Sequence, residues 1–295
     1  MNIRLEKPAD YRKVEELTRE AFWNVFRPGC VEHFVLNLYR KNPDFIPELD
    51  FVMEEDGKII GHVMFSKAKI VKVDGSVVPA WTFGPISIHP MYKRKGYGLK
   101  LLDFAIDKAR EMGIGVLCME GNIDFYKHAG FRVASSLNIH YHGEPEENEV
   151  PYFLAKELIT GYLDGVEGTY HTPQGYFVAD EREKEFLEYE RTFTKKEKSL
   201  QEGQLPQICQ SCGMPLTHNG DCGTNKDGNI DFDYCKFCYK DGKFTKKCSM
   251  DEMIEHCSQF VDEINKNSNQ TTTKDDYKKM MYSFFPMLKR WKKQK

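Results

Sequence analysis

Four cysteines stand in two matched pairs, Cys209-x-x-Cys212 and Cys235-x-x-Cys238. At that spacing each pair can present two sulfurs to one tetrahedral ion, and Gly213 supplies the tight turn after the first pair. Four thiolates leave no position open for water, so the chemistry expected is a structural zinc site. Cys222, Cys248, Cys257 and the nearby His218 are surplus to four-coordination, and of the three thiols only Cys222 lies in the loop between the pairs, where ligand exchange is conceivable. A second stretch, HPMYKRKGYGLKLLDFAIDKAR from His89 to Arg110, sets two glycines among basic residues and runs into an apolar-periodic segment. Gly96 and Gly98 remove side chains where backbone must approach a ligand, and the helix behind them offers unpaired N–H groups to an anion. Walker A fails because Gly98 is followed by Leu99 and Lys100, and the dinucleotide fingerprint fails because Leu101 stands where its third glycine belongs. The phosphates are therefore not those of ATP or NAD.

Bulk properties narrow the field further. The 295 residues carry a formal net charge of -3, are 40% hydrophobic and 29% charged, and so describe ordinary globular protein long enough for two domains. That balance argues against a chain that binds polyanions along its whole length, although from Lys278 to Lys295 every charged residue is basic. The start has no apolar core of the kind a signal peptide needs, and no later run reaches a membrane span, so a cytoplasmic protein is expected. Of nine cysteines, only Cys30 and Cys118 precede residue 200. Cys118 reads as a small buried hydrophobe and Cys30, at a helix start, as packing more than as an activated thiol. His140 and His142 share a strand face, but two ligands make no metal site, and surface placement is the expectation.

The elements that would position these residues can be traced along the chain. IRLEK reads as a strand, Pro8-Ala9-Asp10 opens a helix, and a second helix runs through HFVLNLYR. DFVMEE, KIIGHVMFSKAKIVKV and VVPAWTFGPISIHP form an antiparallel meander, turned at Asp56-Gly57 and Asp74-Gly75. The glycine loop then leads into a helix burying Leu102, Ala105, Ile106 and Ala109, followed by the strand IGVLCMEG: a βαβ unit with parallel strands. After a short helix, FRVASSLNIHYH and EVPYFLAKEL are expected as two closing strands. The charged run from Glu181 and the polar stretch after it predict a surface helix and linker over 181–206, dividing a first domain, 1–180, from a second, 207–295. In the second, Ser249 and Glu252 form a capping box, a polar spacer, NKNSNQTTTKDD, follows, and a last amphipathic helix ends in FFPMLKRWKKQK. Its Phe284, Phe285, Leu288 and Trp291 are expected to pack on their own domain, which makes nucleic-acid binding the lesser reading.

ISIHPMYKRKGYGLKLL resembles the acetyl-CoA loop of the GNAT acetyltransferase superfamily, in which a Gln/Arg-x-x-Gly-x-Gly/Ala segment wraps the pyrophosphate. Lys93 stands in the Gln/Arg position, keeping a cation but losing planar bidentate geometry. GNIDFYKHAGF is similar to the family's later motif, with Tyr126, Gly130 and Phe131 in its Tyr and Gly-Phe places, and the resemblance covers roughly residues 1–180. It implies an α/β (α+β) fold: a GNAT-type mixed, mostly antiparallel twisted sheet flanked by helices. It also implies acetyl-CoA as co-substrate, held by Ile86, Ser87 and Ile88 on the fourth strand, by Lys93, Arg94, Lys95, Gly96, Tyr97, Gly98, Leu99 and Lys100 in the loop, and by Asn122. Residues 207–295 resemble a bacterial zinc-ribbon domain with C-terminal helices, through CQSCGMPL, YCKFCYKDGKFT, MDEMIEHC and FFPMLKRW.

Acyl transfer to an amine needs a neutral nucleophile and a proton for the departing thiolate. Tyr126 is the candidate acid, since a phenol with a reference pKa of about 10 stays protonated at neutral pH. Glu120, at the end of its strand and alternating with Val116 and Cys118, is the candidate base; a water chain, or an amine that enters already neutral, would serve equally. The resulting expectation is an N-acyltransferase moving acetyl from acetyl-CoA to an unidentified primary amine, with the ribbon as an accessory or recognition module for a protein partner. The alternative is an idle acyl-CoA-binding fold whose ribbon contacts protein or nucleic acid.

Overall fold

The computed structural model describes residues 1–145, 148–268 and 271–292. Contacts divide the chain into two compact units: residues 1–23 with 30–196, and residues 24–29 with 197–295.

The first unit is built on a nine-stranded sheet. Strand β1 (Asn2–Leu5) lies antiparallel to β2 (Phe51–Glu55), which turns through Asp56-Gly57 into β3 (Lys58–Lys72). Both turn residues have positive φ, 48° and 72°, the conformation whose twist suits a two-residue hairpin. β3 pairs antiparallel with β4 (Val77–Ile88), and the crossover through α3 (Tyr97–Glu111) lays β5 (Val116–Glu120) parallel to β4. Next to β5 comes β8 (Phe153–Glu157), with the short β6 (Arg132–Val133) beyond it.

Alternate residues along the strands serve opposite faces. Val63 and Phe65 of β3, with Met53, Phe83 and Leu117, meet Leu101, Leu102, Ala105, Ile106 and Ala109 of α3. Met64 and Val52 point the other way, onto Val14 of α1 (Tyr11–Phe22) and Leu36 and Tyr39 of α2 (Glu32–Tyr39). Farther along that second face Ile70, Ala80, Val116, Cys118 and Tyr170 form their own cluster, and Cys118 is the buried hydrophobe expected.

Two readings of the chain change here. FRVASSLNIHYH is not one strand: β6 ends at Val133, and Asn138 in the left-handed region (φ 57°) redirects the chain into β7 (Ile139–Tyr141). β7 then pairs parallel with β9 (Gly168–His171), which lies antiparallel to the far half of β3. The charged run read as surface helix and linker, 181–206, is likewise divided. Helices α4 (Ile123–Tyr126), α5 (Val178–Glu181) and α6 (Glu183–Glu190) all belong to the first unit, which runs on to 196. Phe186, Tyr189 and Phe193 fall at i, i+3 and i+7 and enclose the His33 ring, while Glu190 takes hydrogen bonds from His33 and Arg19. An apolar stripe interleaved with acids makes α6 a packed element.

The second unit consists of three two-stranded hairpins followed by helices. The hairpins are β10 (Gln207–Ile208) with β11 (Pro215–Leu216), β12 (Cys222–Thr224) with β13 (Ile230–Cys235), and β14 (Tyr239–Lys240) with β15 (Lys243–Phe244). Helix α7 (Met250–Ser258) starts at the Ser249–Glu252 capping box, and α8 (Val261–Ser268) and α9 (Lys274–Phe284) follow. Residues 24–29 join this unit through Asn24, whose amide donates to Ser199 Oγ at 3.0 Å, and through Phe26, whose carbonyl accepts from the Leu205 amide.

Candidate active site and metal centre

β4 and β5 share a ladder at one register pair, Trp81 with Leu117. β4 nevertheless continues to Ile88 and β5 to Glu120, so the two strands part over their last residues. On its other edge β4 stays bound, with Ile86, Ser87 and Ile88 opposite Val63, His62 and Gly61. The backbone groups of β4 that point away from β3 are therefore available within the opening. A register shift between Val63 and Phe65, opposite Gly84-Pro85, gives the strand its local irregularity there.

The loop after β4 ends in the αL conformation at Gly96 (φ 82°), with Arg94 also at positive φ (59°). A Cβ at Gly96 would meet nothing, so glycine is needed there for its backbone conformation. Among the described residues no backbone acceptor takes the amides of Tyr97, Gly98 and Leu99, and the first intrahelical bond comes from Lys100 to the Gly96 carbonyl at 3.1 Å. Those first-turn donors stand at the positive end of α3, where the sequence predicts an anion cradle. Lys95 and Lys100 flank it, lying over the Tyr92 and Tyr97 rings. Lys93 departs from expectation: its Nζ donates to the Ala21 carbonyl at 2.9 Å, and burial lowers its pKa. Its charge is thereby committed to the end of α1 and not to the loop.

Phe125 stands beside the cradle, 3.5 Å from where a Gly98 Cβ would be. Asn122 caps α4, accepting from the Asp124 amide at 2.8 Å. Tyr126 packs between Phe83 and Phe131 on the α3 face of the sheet, and Gly121 makes room for it, since a Cβ there would lie 2.4 Å from its ring. Its hydroxyl takes no hydrogen bond from the described residues, and burial pushes its pKa up to about 12.

Glu120 shares the opposite face with Val116 and Cys118. It is exposed, and its Oε1 accepts from Tyr141 Oη at 2.6 Å and from Thr172 Oγ1 at 3.3 Å. The two candidate proton-transfer groups thus lie on opposite faces of the sheet. Tyr141 and Thr172 are the partners that sequence reasoning missed, because they reach Glu120 only through the pairing of β7 with β9.

In the second unit the sulfurs of Cys209, Cys212, Cys235 and Cys238 all lie within 4.8 Å of one another. Tetrahedral zinc with bonds of about 2.3 Å would hold its sulfurs about 3.8 Å apart; Cys212 and Cys235 stand at 3.8 Å. The Cys235 amide donates to Cys209 Sγ at 3.2 Å, a bond that favours the thiolate. The donor set and spacing fit zinc. Gly213 turns the first knuckle in the αL conformation (φ 76°). The surplus groups lie outside the cluster: Cys257 and Cys222 point to the carbonyls of Cys212 and His218, Cys248 sits by Arg290, and His218 pairs with Asp221. The last segment packs back onto the knuckle. Phe285 and Leu288 are buried, Trp291 Nε1 donates to the Ser211 carbonyl at 2.7 Å, and Arg290 donates to Ser211 Oγ at 2.8 Å. The expected aromatic stripe is therefore core, while Lys293–Lys295 lie outside the described residues.

Residues 14–131 match the acetyltransferase (GNAT) family and residues 208–292 the zinc ribbon domain family. The chain is thus similar to GNAT acetyltransferases in its first part and to zinc ribbons in its last. The N-acetyltransferase YjhQ of Escherichia coli is 27% identical over 86 residues, 29% of this chain and 46% of that protein, so the chain spans about half the length of this curated relative. The GNAT N-acetyltransferase YhbS of Escherichia coli, solved with CoA, shares the fold at TM-score 0.51 and 23% identity, over 59% of this chain and 91% of its own. A Brucella melitensis GNAT acetyltransferase solved with acetyl-CoA aligns over 59% of this chain and 97% of its own, at 23% identity and TM-score 0.47. The GNAT domain carries the parted strands and the cradle; the ribbon carries the cysteine cluster. No helix among the described residues is long and apolar enough to cross a membrane.

Proposed function

We propose that the protein is a cytoplasmic N-acyltransferase that moves an acetyl group from acetyl-CoA to a primary amine. The observation that carries this reading is the single ladder pair between β4 and β5, set beside a helix start with unpaired amides. A pyrophosphate suits the loop from Arg94 to Lys100, with the unpaired first-turn amides of Tyr97, Gly98 and Leu99, and an amide-bearing pantetheine suits the free edge of β4 at Ile86 to Ile88. The YhbS neighbour binds CoA, which accords with that placement.

In the reaction the amine nitrogen attacks the thioester carbonyl carbon, the C–S bond breaks, and the CoA sulfur leaves as thiolate. Tyr126, still protonated at neutral pH, supplies the proton to sulfur. Glu120 faces the other side of the opening, where its carboxylate accepts the proton that the amine sheds, directly or through water. Tyr141 and Thr172 fix its rotamer. The zinc in the second unit is structural, its four thiolates leaving no position for substrate.

A panel of amines and peptides assayed for CoA release tests the activity; no release with any acceptor would leave only the binding fold. With a confirmed acceptor, Tyr126→Phe is expected to keep acetyl-CoA affinity and lower turnover by about 10²-fold, the scale of a lost general acid. Unaltered turnover would make Tyr126 a packing residue.

A further inference from the structure

The stretch from Lys236 to Lys247 carries five lysines, Lys236, Lys240, Lys243, Lys246 and Lys247, against one acid, Asp241. All five are exposed, and none pairs with a carboxylate among the described residues. The hairpin of β14 and β15 turns through Asp241-Gly242, both at positive φ (50° and 77°), which sets Lys240 directly opposite Lys243. Like charges in that relation are destabilising. The carboxylate of Asp241 is turned to Thr224, whose Oγ1 donates to it at 3.3 Å. Phe237 stands between the ligands Cys235 and Cys238, is 66% exposed, and takes no part in the apolar cluster around the cysteines. Its backbone is nevertheless fixed, because Thr245 donates to the Phe237 carbonyl through its hydroxyl and to the Cys238 carbonyl through its amide. Lys236 Nζ lies 5.4 Å from the centroid of that ring and donates to the Gly220 carbonyl at 2.9 Å.

We propose that the outer side of this knuckle and hairpin binds single-stranded nucleic acid, with the lysines on its phosphates and a base stacked on Phe237. Phosphates supply the counter-charge that Lys240 and Lys243 lack within their own unit. An aromatic ring held in solvent on a rigid turn offers a platform for the face of any unpaired base, whereas a duplex keeps those faces stacked. An acidic peptide would satisfy the lysines and leave Phe237 in water. The basic C-terminal segment is the poorer candidate: Lys278, Lys279 and Lys289 pair with Glu255, Asp276 and Asp233, and Trp291 packs on the first knuckle. The surface is separate from the strand opening and does not depend on the reaction proposed there.

The test uses the full chain with its zinc and a fluorescein-labelled uridine oligomer of about 12 nucleotides, followed by fluorescence anisotropy. Binding is expected at low salt, with log affinity falling against log salt by about 0.7 for each phosphate contacted. Phe237→Ala leaves the charge unaltered and is expected to weaken binding about tenfold, the scale of one lost base stack. Lys240→Gln with Lys243→Gln is expected to flatten the salt slope by about 1.4, the share of two phosphates. Native zinc content and far-ultraviolet circular dichroism check that each variant is folded. As an independent readout, thiouridine in the oligomer should crosslink to the native chain within residues 236–247, mapped by peptide mass. No binding at low salt, native affinity in Phe237→Ala, equal affinity for a duplex or a polyglutamate of the same length, or crosslinks that map elsewhere would each overturn the site.

Discussion

The strand opening and the cysteine cluster are built by opposite means. The opening exists because hydrogen bonds are withheld: β4 and β5 meet at Trp81 and Leu117 and then part. A sheet can leave backbone groups unpaired in this way only if the rest of the unit is firmly held, here by α3 on one face and α1, α2 and the Tyr170 cluster on the other. The cysteine cluster is itself the centre of its unit's core, where its sulfurs lie among Leu216, Met253, Ile254, Phe285 and Leu288. One site is a gap that a core tolerates; the other is a core that needs its ion.

Metal removal is the largest test of that contrast. Structural zinc contributes on the order of 10 kcal/mol to folding, more than the net stability of a typical domain. Cys209→Ser with Cys235→Ser, or prolonged chelation, is expected to unfold the second unit and leave acetyl-CoA affinity within about twofold of native, because the first unit has its own core. Elemental analysis comes first, and fewer than about 0.5 zinc per chain under reducing, metal-replete conditions would remove the premise. Residues 24–29 are where independence is exposed to failure, since they connect α1 to α2 yet pack with the second unit. If chelation also abolishes acetyl-CoA binding, the two units are one folding unit.

The opening should break at a single backbone angle. Gly96→Val puts a β-branched residue at φ 82°, where L-residues pay roughly 1–2 kcal/mol or more, and tips the first-turn amides out of register. Acetyl-CoA affinity is expected to fall at least about tenfold while the thermal midpoint drops only by the few degrees that the backbone strain costs, because a Cβ there meets nothing. An unchanged affinity in calorimetry would displace the pyrophosphate from this loop.

The two sites also differ in how plainly the sequence announces them. The knuckles are legible because each pair of ligands lies within four residues, so spacing alone carries the geometry. The cradle is legible for a related reason: a backbone demand at Gly96 can be met by few residue types. The link from Glu120 through Tyr141 to Thr172 leaves no such local mark. It depends on β9, a four-residue strand whose partner β3 lies about a hundred residues earlier, and on Asn138 breaking what reads as one continuous strand. Lys93 misleads for the converse reason, since its place in a motif says nothing of the Ala21 carbonyl that α1 brings to it. The apolar face of α6 and the turn after it is present in the sequence as Phe186, Tyr189 and Phe193, but the acids between them hide the period.

That helix supplies the smallest and most specific prediction. Glu190 is mostly buried, and burial alone would raise its pKa; hydrogen bonds from His33 and Arg19 outweigh that and hold it below the usual carboxylate range. A depressed carboxylate contributes stability above its unfolded pKa of about 4.3 and loses that contribution as pH falls through the folded value. Glu190→Gln is therefore expected to cost the first unit about 2 kcal/mol at pH 7, since it leaves Arg19 buried without its counter-charge, and to cost progressively less toward pH 3. Thermal midpoints of the two proteins, followed by a probe in the first unit, should lie several degrees apart at pH 7 and converge in acid. The ribbon provides the internal contrast, because acid protonates its thiolates and releases the metal in both proteins alike. A gap between the midpoints that stays constant with pH would mean that Glu190 holds α6 by shape and not by charge.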